Sequence, residues 1–270
     1  KVFCHKVKTW YHICMEKFFL KTEDNINIAV NHIKNNQKEV IILVHGWFMT
    51  KDSKAFLSLA NDFSKNFDVI SFDCRGHGKS SGFYTFTSRE TIDLKTVVDY
   101  AKKSYEKIYL IGFSLGGALV LIHGAKNKDI DKIIAVSAPS DFNKIENQMW
   151  KKDAWLPTLK KFEPKRWFSI RPSLIMRKKI KPVEIVKEVC APTLFVAGRK
   201  DPTVCPWHTE KLYEDALCPK KFELFESIHA EDLYLDYPEK FIETCTNWLK
   251  QPSHNLHNQT SEETFSLSHQ

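Results

Sequence analysis

Apolar runs of strand length alternate with amphipathic segments of helix length through most of this 270-residue chain. Six of the runs predict strands: EVIILV (39–44), DVISFD (68–73), KIYLIG (107–112), DKIIAVSAP (131–139), PTLFVAG (192–198) and KKFELFE (220–226). EVIILV is apolar after its first residue, as expected for a strand buried on both faces of a sheet. The alternation therefore predicts an α/β fold, in which a doubly wound, mostly parallel sheet carries helices on both faces.

Two further strands are predicted near the start of the chain, where KFFLKT and INIAVNHI flank EDN in a pattern typical of a hairpin. The spacing of apolar residues predicts helices in these segments: 53–65, 87–103, the residues after Ser114, 206–217 and 238–250. Ser88 is the predicted N-cap of the second helix.

One span, 141–189, interrupts this alternation. It contains no good strand, and it carries thirteen Lys and Arg against six Asp and Glu. Its three tryptophans are Trp150, Trp155 and Trp167. Because the span falls between two predicted strands of the sheet, we expect a basic helical cap inserted after the sixth strand.

These patterns divide the chain into a core, 18–140 and 190–250, and three additions, of which the cap is one. Residues 1–17 are an N-terminal extension whose apolar residues follow helical spacing. A short helix packed on the domain is favoured over a helix lying on a membrane surface. Charged residues interrupt the extension, which excludes a transmembrane span there. The polar segment 251–270 is predicted to be a disordered tail.

Composition favours a globular protein and argues against one built on disulfides or zinc. A hydrophobic fraction of 43% suits one globular domain with a large core. The net charge of +7 favours solubility and does not by itself identify a partner. Seven scattered cysteines, an odd number with no CxxC pair, argue against a disulfide framework or a zinc site. Reduced thiols in a cytoplasmic protein fit better, although the chain starts with Lys, so a removed signal or anchor stays open.

Glycines are concentrated around one serine. The chain has only nine glycines, and three of them surround Ser114 in IGFSLGG, between a predicted strand and a predicted helix. In that context, Gly112-Phe-Ser114-Leu-Gly116 is typical of a nucleophile elbow, a strained turn that lifts the serine hydroxyl above the carboxyl edge of the sheet. The pattern alone is common by chance, and the alternative is a serine in a Gly-rich turn between strand and helix that only binds phosphate or has no function.

A nucleophilic serine needs a base, and the base needs an acid that orients it. Asp201 lies in the loop after PTLFVAG and His229 in the loop after KKFELFE, so both fall at the same edge of the sheet as Ser114. The order serine, acid, histidine is the order of this kind of site. Taken alone, Asp201 is more often a turn residue before Pro202, and His229 a surface histidine. Asp141 is a rival position for the acid.

A hydrolytic serine also needs two N–H groups that bind the oxyanion. The backbone of Leu115, which follows the nucleophile, is the predicted source of one. The second is predicted from the HGW loop after EVIILV, where His45 and Gly46 let the chain turn close to Ser114. The Trp47 N–H is then the expected donor, with a side chain that lines the pocket or packs in the core.

Another Gly-rich loop, DCRGHGKSSG (73–82), carries Asp73, Arg75 and His77. A rigid turn held by hydrogen bonds of Asp and Arg is favoured over a catalytic role. His77 precedes Ser114 in the chain, which is the wrong order for the site described above.

With HGW, DCRGHGKS, GFSLGG, GRKD and IHAED in this order, the chain resembles the alpha/beta-hydrolase superfamily over about 18–250. It is most similar to the branch of bacterial esterases, acylglycerol lipases and serine-aminopeptidase-like proteins. The resemblance implies that Ser114, Asp201 and His229 are the catalytic residues. It also implies that Trp47 and Leu115 bind the oxyanion and that the cap acts as a lid. A serine at the elbow argues against the haloalkane dehalogenase and epoxide hydrolase branches, which use an aspartate there.

We therefore expect a serine hydrolase, without cofactor or metal, that cleaves a small-molecule carboxylic ester through an acyl-enzyme. Thioesterase and aminopeptidase-type amide hydrolysis are compatible with the same residues, and a non-catalytic ligand-binding member of the fold is a further alternative. The basic cap weighs against an aminopeptidase, which needs an acidic group for the amine of its substrate. No nucleic-acid partner is expected. Contact with a membrane surface stays open, as does the choice between a monomer and a homodimer.

Overall fold

The computed structural model describes residues 15–149, 170–173 and 179–252. In these residues, eight strands form one sheet in the order β1-β2-β4-β3-β5-β6-β7-β8. The strands are β1 (Met15–Lys21), β2 (Asn27–Ile33), β3 (Glu39–Val44), β4 (Asp68–Phe72), β5 (Lys107–Phe113), β6 (Lys132–Val136), β7 (Thr193–Gly198) and β8 (Lys220–Phe225). The first two form an antiparallel hairpin and β2 pairs antiparallel with β4, whereas β3 to β8 are mutually parallel.

Helices connect the parallel strands. They are α1 (Lys54–Phe63), α2 (Glu90–Ala101), α3 (Leu115–Lys126), α4 (Phe142–Met149), α5 (Pro182–Ile185), α6 (Pro206–Asp215), α7 (Glu231–Asp236) and α8 (Pro238–Lys250), with a 3₁₀ turn at Val186–Glu188. In the described ranges, none of them is long and apolar enough to cross a membrane. The five cysteines of these ranges are all free thiols.

Alternate residues of the central strand β3 serve two hydrophobic cores, one on each face of the sheet. Val40, Ile42 and Val44 pack in the core that includes α2, α3 and α6. Ile41 and Leu43 pack in the core that includes α1, α7 and α8. All five side chains are fully buried, which explains why this strand is apolar on both faces. The predicted doubly wound, mostly parallel α/β fold is confirmed.

The eight predicted strands are all present, but the predicted end of the N-terminal extension and the predicted N-cap of α2 are wrong. The predicted N-terminal extension includes Met15–Lys17, whereas the structure places these residues in β1. Ser88 is the predicted N-cap of α2, whereas the helix begins at Glu90. The Ser88 hydroxyl instead donates to the carbonyl of Thr85, and the Glu90 carboxylate accepts from the backbone N–H of Thr85. The side chain of Glu90, the first residue of α2, therefore binds the backbone of Thr85 in the turn before the helix.

The predicted cap is only partly covered by the described residues. The span between β6 and β7 begins with α4 and ends with α5 and the 3₁₀ turn. Between them, Arg171 lies against the core, since its N–H donates to the carbonyl of Gly76 at 2.7 Å and its carbonyl accepts from Tyr84 at 2.8 Å. The three tryptophans of the cap lie outside the described residues, as do residues 1–14 and 253–270 of the predicted extension and tail. The cap and its role as a lid stay predictions.

The Gly-rich turn at 73–82 is held by buried polar groups. The Asp73 carboxylate accepts from the backbone N–H groups of Lys51 and Lys79 at 2.8 and 2.9 Å. The Arg75 guanidinium pairs with Asp93 at 2.7 Å and with Asp24 at 2.6 Å. The predicted hydrogen bonds of Asp and Arg in this turn are confirmed.

Because three buried histidines have lowered pKa values, we expect the free energy of unfolding to decrease in acid. Burial lowers the pKa of His32 and of His208 to about 4, and that of His77 to about 3. In the unfolded chain these groups take up protons near pH 6.5, whereas in the folded chain they do not. Their contribution to the free energy of unfolding is therefore fully present above pH 6.5 and is lost progressively as pH decreases. Urea unfolding between pH 7.5 and 4.5 should show a decrease of up to about 1.4 kcal/mol per pH unit for each histidine.

His208→Asn is the control for this prediction. Asparagine keeps an acceptor where His208 Nδ1 accepts from the N–H of Ser140, and it removes one titrating group. The variant should therefore show a shallower pH dependence of the unfolding free energy. A dependence as steep as that of the wild type would assign the acid sensitivity to other groups.

Candidate active site

The turn between β5 and α3 holds Ser114 in a strained conformation. Its φ of 52° is unusual for a residue other than glycine, and its N–H donates to the carbonyl of Val136 at 2.8 Å. A Cβ on Gly112 would lie 2.2 Å from the carbonyl oxygen of Gly116, and one on Gly116 would lie 2.2 Å from that of Val44. Any larger residue at either position would force the turn apart, which explains the glycines on both sides of the serine.

The structure brings together the three residues that the sequence singled out. His229 Nε2 lies 2.9 Å from Ser114 Oγ, and His229 Nδ1 lies 2.6 Å from Asp201 Oδ2. An ionised carboxylate only accepts hydrogen bonds, so Nδ1 carries the proton and Nε2 is free to accept from the Ser114 hydroxyl. This direction of hydrogen bonding allows the imidazole to take up the serine proton.

The carboxylate of Asp201 is fixed on both of its oxygens. While Oδ2 faces the imidazole, Oδ1 accepts from the backbone N–H groups of Thr203 and Val204 at 2.8 and 2.9 Å. The side chain is fully buried. The loops after β7 and β8 are joined by a hydrogen bond from the N–H of Lys200 to the carbonyl of Ser227 at 3.0 Å, so acid and base are held on adjoining loops.

Asp141, the rival acid, has a different partner. Its carboxylate lies 3.1 Å from the ammonium of Lys181, which belongs to the segment before α5. Since Asp201 occupies the Nδ1 side of His229, the geometry favours Asp201 as the acid.

The HGW loop runs beside the nucleophile. A Cβ on Gly46 would lie 3.1 Å from the Cβ of Ser114, so glycine allows this close approach. His45 fixes the loop, because its Nδ1 lies 2.7 Å from the carbonyl of Gly46 and its Nε2 accepts from the N–H of Cys74 at 3.0 Å. Leu115 is the first residue of α3, where N–H groups lack partners inside the helix. The assignment of Trp47 and Leu115 as oxyanion donors stays a prediction.

An apolar cluster includes Leu115, the residue that directly follows the serine. Its members are Tyr84, Leu115, Ala118, Phe142, Ile145 and Val204, with Trp47 and Phe86 packed against them. The ring centroids of Trp47 and Phe86 are 5.5 Å apart. Of this cluster, only Trp47 and Leu115 were singled out from the sequence. Phe86 follows the Gly-rich turn in a segment without regular structure, and no local pattern indicates that its ring reaches the HGW loop.

Metal-binding groups are not assembled here. Within the described ranges, no group of three or more His, Cys, Asp or Glu side chains has the arrangement of a metal site. His229 instead bridges Asp201 and Ser114 through its two ring nitrogens.

Comparison with known proteins agrees with this architecture. A family model described as alpha/beta hydrolase fold matches residues 39–159. The solved esterase Pf2001 of Pyrococcus furiosus is 23% identical, with a TM-score of 0.76 over 92% of this chain and 96% of that one. This chain has the alpha/beta-hydrolase fold. The resemblance predicted from the sequence is confirmed at the level of the fold.

Other proteins are also similar to this chain, one in structure and two in sequence. The esterase EaEST of Exiguobacterium antarcticum is 21% identical, with a TM-score of 0.67 over 86% of this chain and 99% of that one. The AB hydrolase superfamily protein YisY of Bacillus subtilis is 33% identical over 125 residues, 44% of each chain. A putative 2-succinyl-6-hydroxy-2,4-cyclohexadiene-1-carboxylate synthase of the same organism is 31% identical over 37% of this chain and 36% of its own length. The chain thus spans less than half the length of these two curated relatives.

Proposed function

We propose that this protein is a serine hydrolase that cleaves small-molecule carboxylic esters through an acyl-enzyme. The observation that carries the proposal is the hydrogen-bonded series Ser114–His229–Asp201, with distances of 2.9 and 2.6 Å. Nucleophile, base and orienting acid in this order are the requirements of acyl transfer by serine. They lie at the carboxyl edge of the sheet, where ligands bind in open α/β folds.

In the first half-reaction, Ser114 Oγ attacks the ester carbonyl while His229 Nε2 takes the hydroxyl proton. Asp201 holds the ring and stabilises the imidazolium that forms. The imidazolium then gives its proton to the leaving alkoxide as the C–O bond breaks. In the second half-reaction, His229 takes a proton from water, which attacks the acyl carbon, and returns it to Ser114 Oγ.

Negative charge on the carbonyl oxygen is stabilised by backbone donors in this proposal. Leu115 begins α3, whose N-terminal end carries partial positive charge. The loop containing Trp47 approaches the serine closely enough to supply a second N–H. Two such donors that are already in place before the reaction stabilise an oxyanion more than water does, because they need no reorganisation.

Two observations favour an ester of an apolar acid or alcohol over other substrates. The apolar cluster that includes Leu115, the residue after Ser114, suits a hydrocarbon group of the substrate. Two of the solved proteins with the same fold are esterases. Thioester and amide cleavage use the same residues. The preference among leaving groups is therefore decided by comparing kcat/KM for the ester, the thioester and the amide of one acid.

Labelling with a fluorophosphonate tests the proposal. We expect one phosphonyl group per chain, located on Ser114 by peptide mass spectrometry, and an initial burst followed by turnover with a p-nitrophenyl ester. Ser114→Ala should not be labelled, whereas Ser88→Ala, which changes a serine bonded only within its own turn, should be labelled as the wild type is.

Other outcomes decide among the alternatives. A folded wild type that is neither labelled nor active would favour a non-catalytic binding protein. Labelling combined with a higher kcat/KM for the thioester or anilide than for the ester of the same acid would replace the ester by that substrate class.

A further inference from the structure

Ser137, the first residue after β6, is held in an unusual backbone conformation. Its φ is 47°, and the residue is buried. A residue other than glycine adopts this region only at a cost, so such a conformation persists where neighbouring contacts enforce it. One of these contacts is the hydrogen bond from the N–H of Ser137 to the carbonyl of Val196 in β7, at 2.7 Å.

The Ser137 side chain reaches the loop that carries the proposed base. Its Oγ accepts from the N–H of Ala230 at 3.1 Å, and this hydrogen bond is buried. Ala230 directly follows His229 and also has a positive φ, of 50°. The carbonyl of His229 in turn accepts from the N–H of Asp232 at 3.0 Å. The turn that aims the imidazole is therefore tied to the end of β6 by the Ser137 hydroxyl.

The residue before Ser137 contacts the other side of the site. Val136 accepts the N–H of Ser114 at 2.8 Å. Two consecutive residues thus bind the backbone of the nucleophile turn and the backbone of the base turn. Because strands β5 and β6 are paired, this short segment sets the two turns relative to each other.

We infer that Ser137 is a positioning residue, whose hydroxyl holds the turn of His229 so that the imidazole spans Ser114 and Asp201. The inference rests on the proposed function. Without the hydroxyl, the N–H of Ala230 would be buried without an acceptor, and the turn would move to find water or another acceptor. Serine catalysis is sensitive to such a shift, since a displacement of about 1 Å can cost about 10²-fold in rate.

The test compares Ser137→Ala with Ser140→Ala. Alanine at 137 keeps the Cβ and must adopt the same positive φ as the serine. It removes only the oxygen that accepts from the N–H of Ala230. Ser140 is a similarly buried serine of the same loop, but the partner of its hydroxyl is His208 Nδ1, at 2.7 Å, and not a residue of the base turn. We expect kcat for a p-nitrophenyl ester to fall about 10²-fold in Ser137→Ala with KM nearly unchanged, and to stay within about threefold of wild type in Ser140→Ala.

A second measurement does not depend on turnover. The short hydrogen bond between His229 Nδ1 and Asp201 should give a far-downfield proton resonance in the NMR spectrum. We expect this resonance to shift or broaden in Ser137→Ala and to be unchanged in Ser140→Ala.

If both variants keep wild-type kcat and the same resonance, the inference is wrong. If Ser137→Ala does not fold, Ser137→Gly, which relieves the backbone strain and lacks the hydroxyl, serves in its place. Failure of wild-type labelling at Ser114 would instead overturn the proposed function.

Discussion

Replacing Asp201 with asparagine should lower kcat for ester hydrolysis about 10⁴-fold and leave the fold intact. The size of this effect follows from the two oxygens of the carboxylate. Oδ1 accepts from the N–H groups of Thr203 and Val204, and Oδ2 accepts from His229 Nδ1. An asparagine must keep its single oxygen on the two backbone donors, because its NH₂ group cannot accept from them.

The amide nitrogen of the introduced asparagine would then face the imidazole. Two N–H groups cannot share a hydrogen bond, so Nδ1 would lose its proton and become the acceptor. The proton would move to Nε2, the nitrogen that has to accept from the Ser114 hydroxyl. The variant would therefore hold the base in the wrong tautomer with little change in shape, and we expect kcat to fall far more than KM rises.

Asp141→Asn is the matched control, since Asp141 was the rival acid and pairs with Lys181. It should retain kcat within about fivefold, the change that about 1 kcal/mol allows, because the loss of a partly exposed ion pair costs under about 1 kcal/mol. Steady-state kinetics of both variants, with thermal unfolding to verify the fold, decide between the two acids. Loss of activity in Asp141→Asn with retention in Asp201→Asn would reverse the assignment.

Much of the fold follows from local patterns, because strands buried on both faces must be apolar along their whole length. EVIILV illustrates this, since its alternate residues pack in cores on opposite faces of the sheet. The start of α2 was misplaced because its first turn is fixed by Glu90 binding back to Thr85, a side-chain choice that the N-cap rule for Ser88 does not capture. Helix α7 was not predicted, since it is short and the residue before it, Ala230, has a positive φ.

The candidate site was predictable for a topological reason. In a parallel sheet the carboxyl ends of the strands meet at one edge, so Ser114, Asp201 and His229 could be placed together from their positions after strands. Ser137 and Phe86 could not be found this way. Their contacts with Ala230 and Trp47 join segments far apart in the chain, and a serine or a phenylalanine in a loop carries no local signal of its distant partner.

Replacing Arg75 with methionine should destabilise the protein by about 3–5 kcal/mol at pH 7.5, the usual cost of breaking a buried ion pair by removing one partner. The guanidinium is nearly inaccessible and donates to both oxygens of Asp93, which is fully buried, and to Asp24. Methionine fills much of the space and leaves the Asp93 carboxylate without its counter-ion. A buried, unpaired charge is among the costliest features a fold can contain.

The pH dependence of this loss separates charge from packing. Burial raises the pKa of Asp93, and Arg75 opposes that rise. In the wild type the pKa of folded Asp93 is raised to about 7, and without the arginine it rises further. The folded variant therefore takes up a proton at a pH where the folded wild type does not, while the unfolded chain stays ionised above about pH 4, so the variant gains stability relative to wild type as pH falls to about 7. Urea unfolding should therefore give a smaller difference in unfolding free energy between wild type and Arg75→Met at pH 5.5 than at pH 7.5.

Lys95→Met is the control, since it removes an exposed ion pair with Asp99 on the same helix. It should cost under about 1 kcal/mol at both pH values. An equal loss from Arg75→Met and Lys95→Met, or a loss that does not vary with pH, would show that the buried charge of Asp93 does not control stability.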